Sequence, residues 1–268
     1  AERFAAAGLA ALAFDYRHFG DSEGEPRQLL STRRQRQDWQ AAIAHARGLD
    51  GVDPERIVAW GSSNSGGHVI WVAARDHRLA AAIAQVPHTS GPATLRMLDR
   101  SRAARLTGLA IVDGVRGLLG RPPRYMPTVG PPGSVAAMTA DDAANGYPAM
   151  YPDGFDWRNE VAARIMLSYG LDSPGRDAAK VECPILFLVG SDDHITPPEP
   201  AIEAAGRAPR GELITYFSLP FYRAMLERSG FDADIAGFDA GMEKGDPDAA
   251  VAAISDRFMK TLTAIGDQ

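Results

Sequence analysis

Two short stretches of this chain hold the residue types that acyl transfer requires. The first is Ile57-Val58-Ala59-Trp60-Gly61-Ser62-Ser63-Asn64-Ser65-Gly66-Gly67, an apolar run that leads through small residues into a helical pattern. A serine hydroxyl is a weak nucleophile until the backbone presents it and a base removes its proton. A buried strand that turns sharply into a helix does the presenting, and the residues two before and two after the serine must then be small. Ser63 satisfies this with Gly61 and Ser65. Ser65 is the second candidate, flanked at the same offsets by Ser63 and Gly67 but lying further beyond the strand. Backbone N–H groups and the dipole at the start of the helix would face a developing oxyanion. Gly/Ser-rich turns also occur without chemistry, and it is the strand–turn–helix context that favours the chemical reading.

The second stretch is Leu186-Phe187-Leu188-Val189-Gly190-Ser191-Asp192-Asp193-His194-Ile195-Thr196-Pro197. A carboxylate just past a buried strand sits at the carboxyl edge of a parallel sheet, where such sheets place their sites. Asp193 is the better acid, because Ile195 and Pro197 can pin its loop, and Asp192 is the alternate. The base must come from six histidines. His88 follows a strand at the same sheet edge and is the best placed. His194 adjoins Asp193 in the chain, His68 lies on the helix after Ser63, and His18 lies in the loop after the first apolar run. His45 and His77 read as helix-surface residues. For any single histidine a satisfied structural role is the commoner case.

The elements that position these residues alternate. Glu2 to Ala7 reads as a helix closed by Gly8, Leu9 to Phe14 as a buried strand, and Thr32 to Gly48 as an amphipathic helix. A turn at Asp53 to Arg56 leads into a strand at Ile57 to Trp60. A helix at His68 to Arg75 and strands at Leu79 to Val86, Ile185 to Val189 and around Glu212 to Phe217 follow. This alternation predicts an α/β fold with a mostly parallel sheet flanked by helices. Residues 88–175 break the pattern and are too long for a loop, so they are expected to form a helical cap insertion. The expected division is a core at 1–87 and 176–215, the cap at 88–175, and a helical appendage at 216–268.

Composition narrows the function. The chain has 268 residues, 45% hydrophobic and 23% charged, with a formal net charge of -6. That balance disfavours nucleic acid, whose phosphates are bound by clustered cations; Arg33, Arg34 and Arg36 are followed by Asp38 and read as a solvated helix face. Cys183 is the single cysteine, which excludes an intrachain disulfide and a cysteine metal cluster. No ligand spacing such as H-x-x-x-H occurs, so neither metal nor organic cofactor is expected. No segment is long and apolar enough to span a bilayer and no signal-peptide pattern stands at the start, so a cytoplasmic protein with no membrane partner is expected.

Phe14-Asp15-Tyr16-Arg17 with Gly20-Asp21-Ser22, the Trp60 to Val69 segment, Gln85-Val86-Pro87 and Gly190 to Pro197 together carry a resemblance. From about residue 3 to 212 the chain resembles α/β-hydrolases of the dienelactone-hydrolase and X-Pro-dipeptidyl-peptidase type, more narrowly those related to polyketide-processing acyl hydrolases and transferases. The resemblance implies Ser63 as nucleophile, Asp193 as triad acid and the backbone N–H of Asn64 as an oxyanion donor, although a hydrophobic residue is commoner at position 64. It also implies leading strands ahead of residue 1, so the fold is expected to be N-terminally truncated. It further implies a late catalytic histidine beyond Phe217, whereas the last histidine here is His194. The segment from Tyr216 onward, with Leu219-Pro220-Phe221-Tyr222-Arg223 and Ala253-Ile254-Ser255-Asp256-Arg257, resembles the end of luciferase-like flavin- or deazaflavin-dependent monooxygenases. It holds none of the residues that would make a flavin site.

The expected function is a serine-dependent hydrolase of an ester, thioester or related acyl bond in a small hydrophobic substrate. Ser63 attacks, His88 shuttles the proton, Asp193 orients it and Asn64 N–H holds the oxyanion. The alternative is a catalytically impaired hydrolase-like remnant or fusion that acts as a binding module. Its exposed sheet edge would favour a homodimer.

Overall fold

The computed structural model describes all residues except 1, 7, 141–142, 152–153, 156, 191–192, 209–225, 228–229, 256 and 259–268. The chain divides into two compact units: Ala1–Ile57 with Thr89–Ser173 and His194–Pro197, and Val58–His88 with Pro174–Asp193 and Pro198–Gln268.

The second unit holds the sheet. Strands β1 (Val58–Ser62), β2 (Ala81–Gln85) and β5 (Ile185–Leu188) pair in parallel in the order β1-β2-β5. Parallel neighbours need a crossover, and helix α3 (Asn64–Ala73) supplies it between β1 and β2. The register sets Gly61 beside Ala84 and Ser62 beside Gln85, and Gln85 beside Leu188. All three strands therefore end at the edge from which Ser63 and the residues after Gln85 emerge. One apolar cluster fills a face of this sheet: Ile70 of α3, Ala84, Phe187, Val189, and Ala201 and Ala204 of helix α8 (Pro198–Arg207). The other face is open at β1, where Val58 is 53% and Trp60 45% exposed, so this strand is not buried on both faces as its apolar run suggests. Beyond α8, helices α9 (Asp232–Glu243) and α10 (Pro247–Ala252) build a cluster of their own from Phe231, Ile235, Phe238, Ala250, Ile254 and Phe258. The strand expected around Glu212 to Phe217 lies outside the described residues.

The first unit is helical. Helix α1 (Glu2–Ala6) ends where Gly8, at φ 81°, returns its N–H to Ala5. Leu9 to Phe14 does not form the predicted strand, and Leu9 and Leu12 are exposed. An apolar run becomes strand only beside a hydrogen-bonding neighbour, and none pairs with it among the described residues. Helix α2 (Thr32–Arg47) is started by Ser31, whose side chain accepts from Arg34 N–H, and it buries Gln35, Trp39 and Ile43. Helices α4 (Gly91–Arg96), α5 (Arg100–Leu118), α6 (Ala143–Ala149) and α7 (Met166–Tyr169) lie in the segment expected to be helical, and turns and loops make up much of the rest. A short antiparallel pair, β3 (Tyr125–Met126) with β4 (Val161–Ala162), interrupts them. The core here is Leu106, Met126, Val161, Ala163 and Ile165.

The unit is locked by one buried carboxylate. Asp113 is fully buried on α5, where it accepts from Arg124 N–H (2.6 Å), Arg164 N–H (2.8 Å), Arg164 Nε (2.8 Å) and Arg164 Nη2 (3.0 Å). One turn further along α5, Gly117 leaves room for the guanidinium, because a Cβ there would stand 1.9 Å from Arg164 Nη1.

Candidate active site

Ser63 stands between β1 and α3 with φ 55° and ψ −120°. A residue with a side chain adopts such a backbone only when its surroundings impose it, at a cost of roughly 1–3 kcal/mol. Ser63 is the N-cap of α3, a position where serine ordinarily bonds a free N–H of the first turn. Ser31 and Ser90 do so at their helices. Ser63 makes no capping bond. The twisted backbone carries its hydroxyl out of the capping role and leaves it half-buried at the sheet edge.

The neighbouring glycines make that turn feasible. A Cβ on Gly61 would lie 2.4 Å from the carbonyl oxygen of Ser65, so the strand passes directly against the first helical turn. On Gly66 it would lie 2.9 Å from Pro87 Cβ, and on Gly67 2.4 Å from the carbonyl oxygen of His88. The start of α3 is thus pressed onto the segment that carries His88. Backbone bonds close the arrangement: Ser63 N–H donates to Gln85 (2.9 Å), and His88 N–H donates to the Ser63 carbonyl (2.9 Å). Replacing Gly61 by alanine is expected to cost about 3 kcal/mol through overpacking against rigid backbone. A chemical-denaturation midpoint should fall accordingly, and an unchanged midpoint would show that the strand and helix are not in contact.

His88 is buried, 1% exposed, and reaches Ser63 through the backbone bond just described. The residue that turns the chain toward it is Val86, at φ 36°, whose N–H donates to the Leu188 carbonyl (2.6 Å). A β-branched side chain at positive φ is a conformational outlier, and here it lies at the same edge as the strained serine. Asp193, half-buried, approaches the same place from β5: its Cβ would be 3.6 Å from a Cβ on Gly190, and Val86 Cγ1 3.9 Å from it. Asp192 lies outside the described residues. Asn64 begins α3, and its side-chain amide stands 3.3 Å from His68 Nε2, one turn along.

The second unit therefore sets Ser63, Asn64 and the backbone of His88 side by side, with Asp193 in the loop just past the parallel neighbour β5. Of the remaining histidines, His68 stays beside Asn64 on α3. His18 is buried in the first unit with Nε2 2.7 Å from Arg34 Nη1. Because a guanidinium only donates, that nitrogen is occupied as an acceptor. His77 pairs with Glu182 at 2.7 Å on the surface, and His45 and His194 are exposed. Among the described residues no group of three His, Cys, Asp or Glu is arranged to hold a metal ion. The sequence reading named Val86 but missed its strain, since no residue type signals strain at that position. It also missed the double contact of Gly66 and Gly67, for which the glycine pair itself was the available signal.

A family model described as serine aminopeptidase, S33, a hydrolase family, matches residues 1–219. The chain belongs to this family. It is an α/β-hydrolase. The quorum-quenching protein AidA of Acinetobacter baumannii (strain MDR-ZJ06) is 45% identical over 216 residues, covering 81% of this chain and 71% of that protein. Thiohydrolase aneE of Aspergillus aculeatus is 26% identical over 249 residues, covering 87% and 75%. Among solved structures, the α/β hydrolase GrgF from Penicillium sp. sh18 superimposes with a TM-score of 0.64 at 24% identity, covering 78% of this chain and 70% of that one. The family match ends at 219, before helices α9 and α10.

Proposed function

We propose that this hydrolase acts through Ser63, cleaving an ester, thioester or related acyl bond of a small hydrophobic substrate by way of an acyl-enzyme. The observation that carries the reading is the backbone of Ser63, forced to φ 55° with its hydroxyl withheld from the helix it caps. Attack by Ser63 Oγ on the carbonyl forms a tetrahedral intermediate, and its oxyanion is held by the N–H of Asn64 at the positive end of α3. His88 takes the serine proton and returns it to the leaving group, while Asp193 orients the imidazole. Water then repeats the sequence on the acyl-enzyme. The relatives named for thiohydrolase activity and for quorum quenching favour a small acyl compound over a peptide. The segment 88–175 is proposed as a cap insertion, and residues 216–268 as an appendage without its own chemistry.

A fluorophosphonate probe tests this directly. Peptide mapping should find the label on Ser63, with Ser65→Ala still labelled and Ser63→Ala not. A folded protein that takes no label favours the second reading, a hydrolase-shaped binding module. That reading draws its support from the absence of any histidine after His194.

A further inference from the structure

Helix α5 presents an apolar stripe to solvent. Ile111, Val112, Val115, Leu118 and Leu119 recur at the spacing of one helical face. Each of the five is at least half exposed, and Leu118 reaches 89%. The opposite face of the same helix is sealed by Leu106, Ala110 and Asp113. The stripe is therefore not a core face that has lost its way, since the helix already has its core. Its charge is one-sided in a chain whose net charge is -6. Arg105 and Arg121 stand exposed beside the stripe, with Arg116 half-buried on the same helix. Of the acids in this region, Asp113 is buried on Arg164, and Asp99 caps the far end of the helix.

We infer that this face of α5 docks on an anionic phospholipid surface, with Leu118 and Leu119 entering the headgroup–acyl boundary and the flanking arginines meeting phosphate. An apolar stripe rimmed by cations is the pattern of a helix that lies on a membrane. Arginine suits such a rim because its stem covers apolar surface while its head stays with the headgroups. A second copy of the chain is the poorer occupant, because pairing two stripes would bring two sets of arginines together. Among the described residues no helix is long and apolar enough to cross a membrane, and lying on a surface requires none. This departs from the sequence expectation of no membrane partner, which rested on the lack of a span. It is independent of the role given to Ser63.

Flotation of the full chain with vesicles tests it, comparing phosphatidylcholine alone with a roughly 3:1 mixture of phosphatidylcholine and phosphatidylglycerol. Binding should require the anionic lipid and fall as salt rises, and Arg105→Ala and Arg121→Ala should each weaken it about fivefold. Leu118→Ser with Leu119→Ser should abolish binding while leaving the circular dichroism spectrum and thermal midpoint in place, since both side chains are exposed. No binding to the mixed vesicles at low salt overturns the proposal, as does binding that the serine pair leaves intact. A concentration-dependent dimer that the serine pair dissolves, with no vesicle binding, would assign the stripe to a second copy instead.

Discussion

Under the proposed mechanism, replacing Ser63 by alanine should lower kcat toward an acyl ester by roughly a millionfold, leaving a residue of turnover from substrate positioning and oxyanion contacts. The size follows from the role: without the hydroxyl no acyl-enzyme forms, and the remaining groups act only on water. The same position gives a second readout that a structural serine would not. Ser63→Gly relieves the backbone at φ 55°, so it should raise folding stability by about 1 kcal/mol while removing activity. Loss of activity together with a gain of stability identifies a residue strained for function. His88→Ala should fall within about tenfold of Ser63→Ala, because members of one proton-transfer unit do not contribute additively. Turnover that survives Ser63→Ala but disappears with Ser65→Ala would move the nucleophile to Ser65.

The largest stability effect is expected at Asp113. Its carboxylate is fully buried and accepts four hydrogen bonds, three from Arg164 and one from the Arg124 backbone. Asp113→Ala strands the Arg164 charge and two backbone donors, and should cost about 3–5 kcal/mol. The thermal midpoint should drop by roughly 10 °C. Asp113→Ala with Arg164→Met should be milder than Asp113→Ala alone, because the second change removes the unpaired cation. Equal stability of the single and double variants would show that the pair is not coupled. Burial by itself would raise the Asp113 carboxyl, but the hydrogen bonds and charge of Arg164 and the Arg124 N–H outweigh it and hold it below the ordinary carboxylate value. A depressed acid stabilises the fold fully above its unfolded value of about 4 and loses that contribution as pH falls through the folded value. The stability difference between the wild type and Asp113→Ala should therefore be constant at neutral pH and shrink below about pH 4.

These two predictions differ in how far each could be read from the chain alone. The elbow is local: Gly61, Ser63, Gly66 and Gly67 lie within one short segment, and the small residues stand where a strand must fold back against a helix. Steric demand acts through near neighbours, so residue type alone disclosed it. The α/β architecture was legible for the same reason, because β1, β2 and β5 are apolar runs bounded by turns. Asp113 gave no such signal. It sits on a helix whose sequence marks it as a surface acid, and only the approach of Arg164, distant in the chain, makes it a buried one. Val86 is similar, since nothing in a valine announces that the chain will turn at φ 36° there. Leu9 to Phe14 shows the opposite error: its composition suits a strand, but strand is a property of a pair, and no described partner lies beside it. The stripe on α5 has the spacing of a packed helical face, and only its exposure in the fold distinguishes it from one. Contacts within a few residues set the turn at Ser63, the ends of α1 and α2 and the apolar runs, and these are legible in the residue order alone. The tertiary structure alone decided what depends on which distant segments meet, because burial and pairing belong to two places in the chain at once.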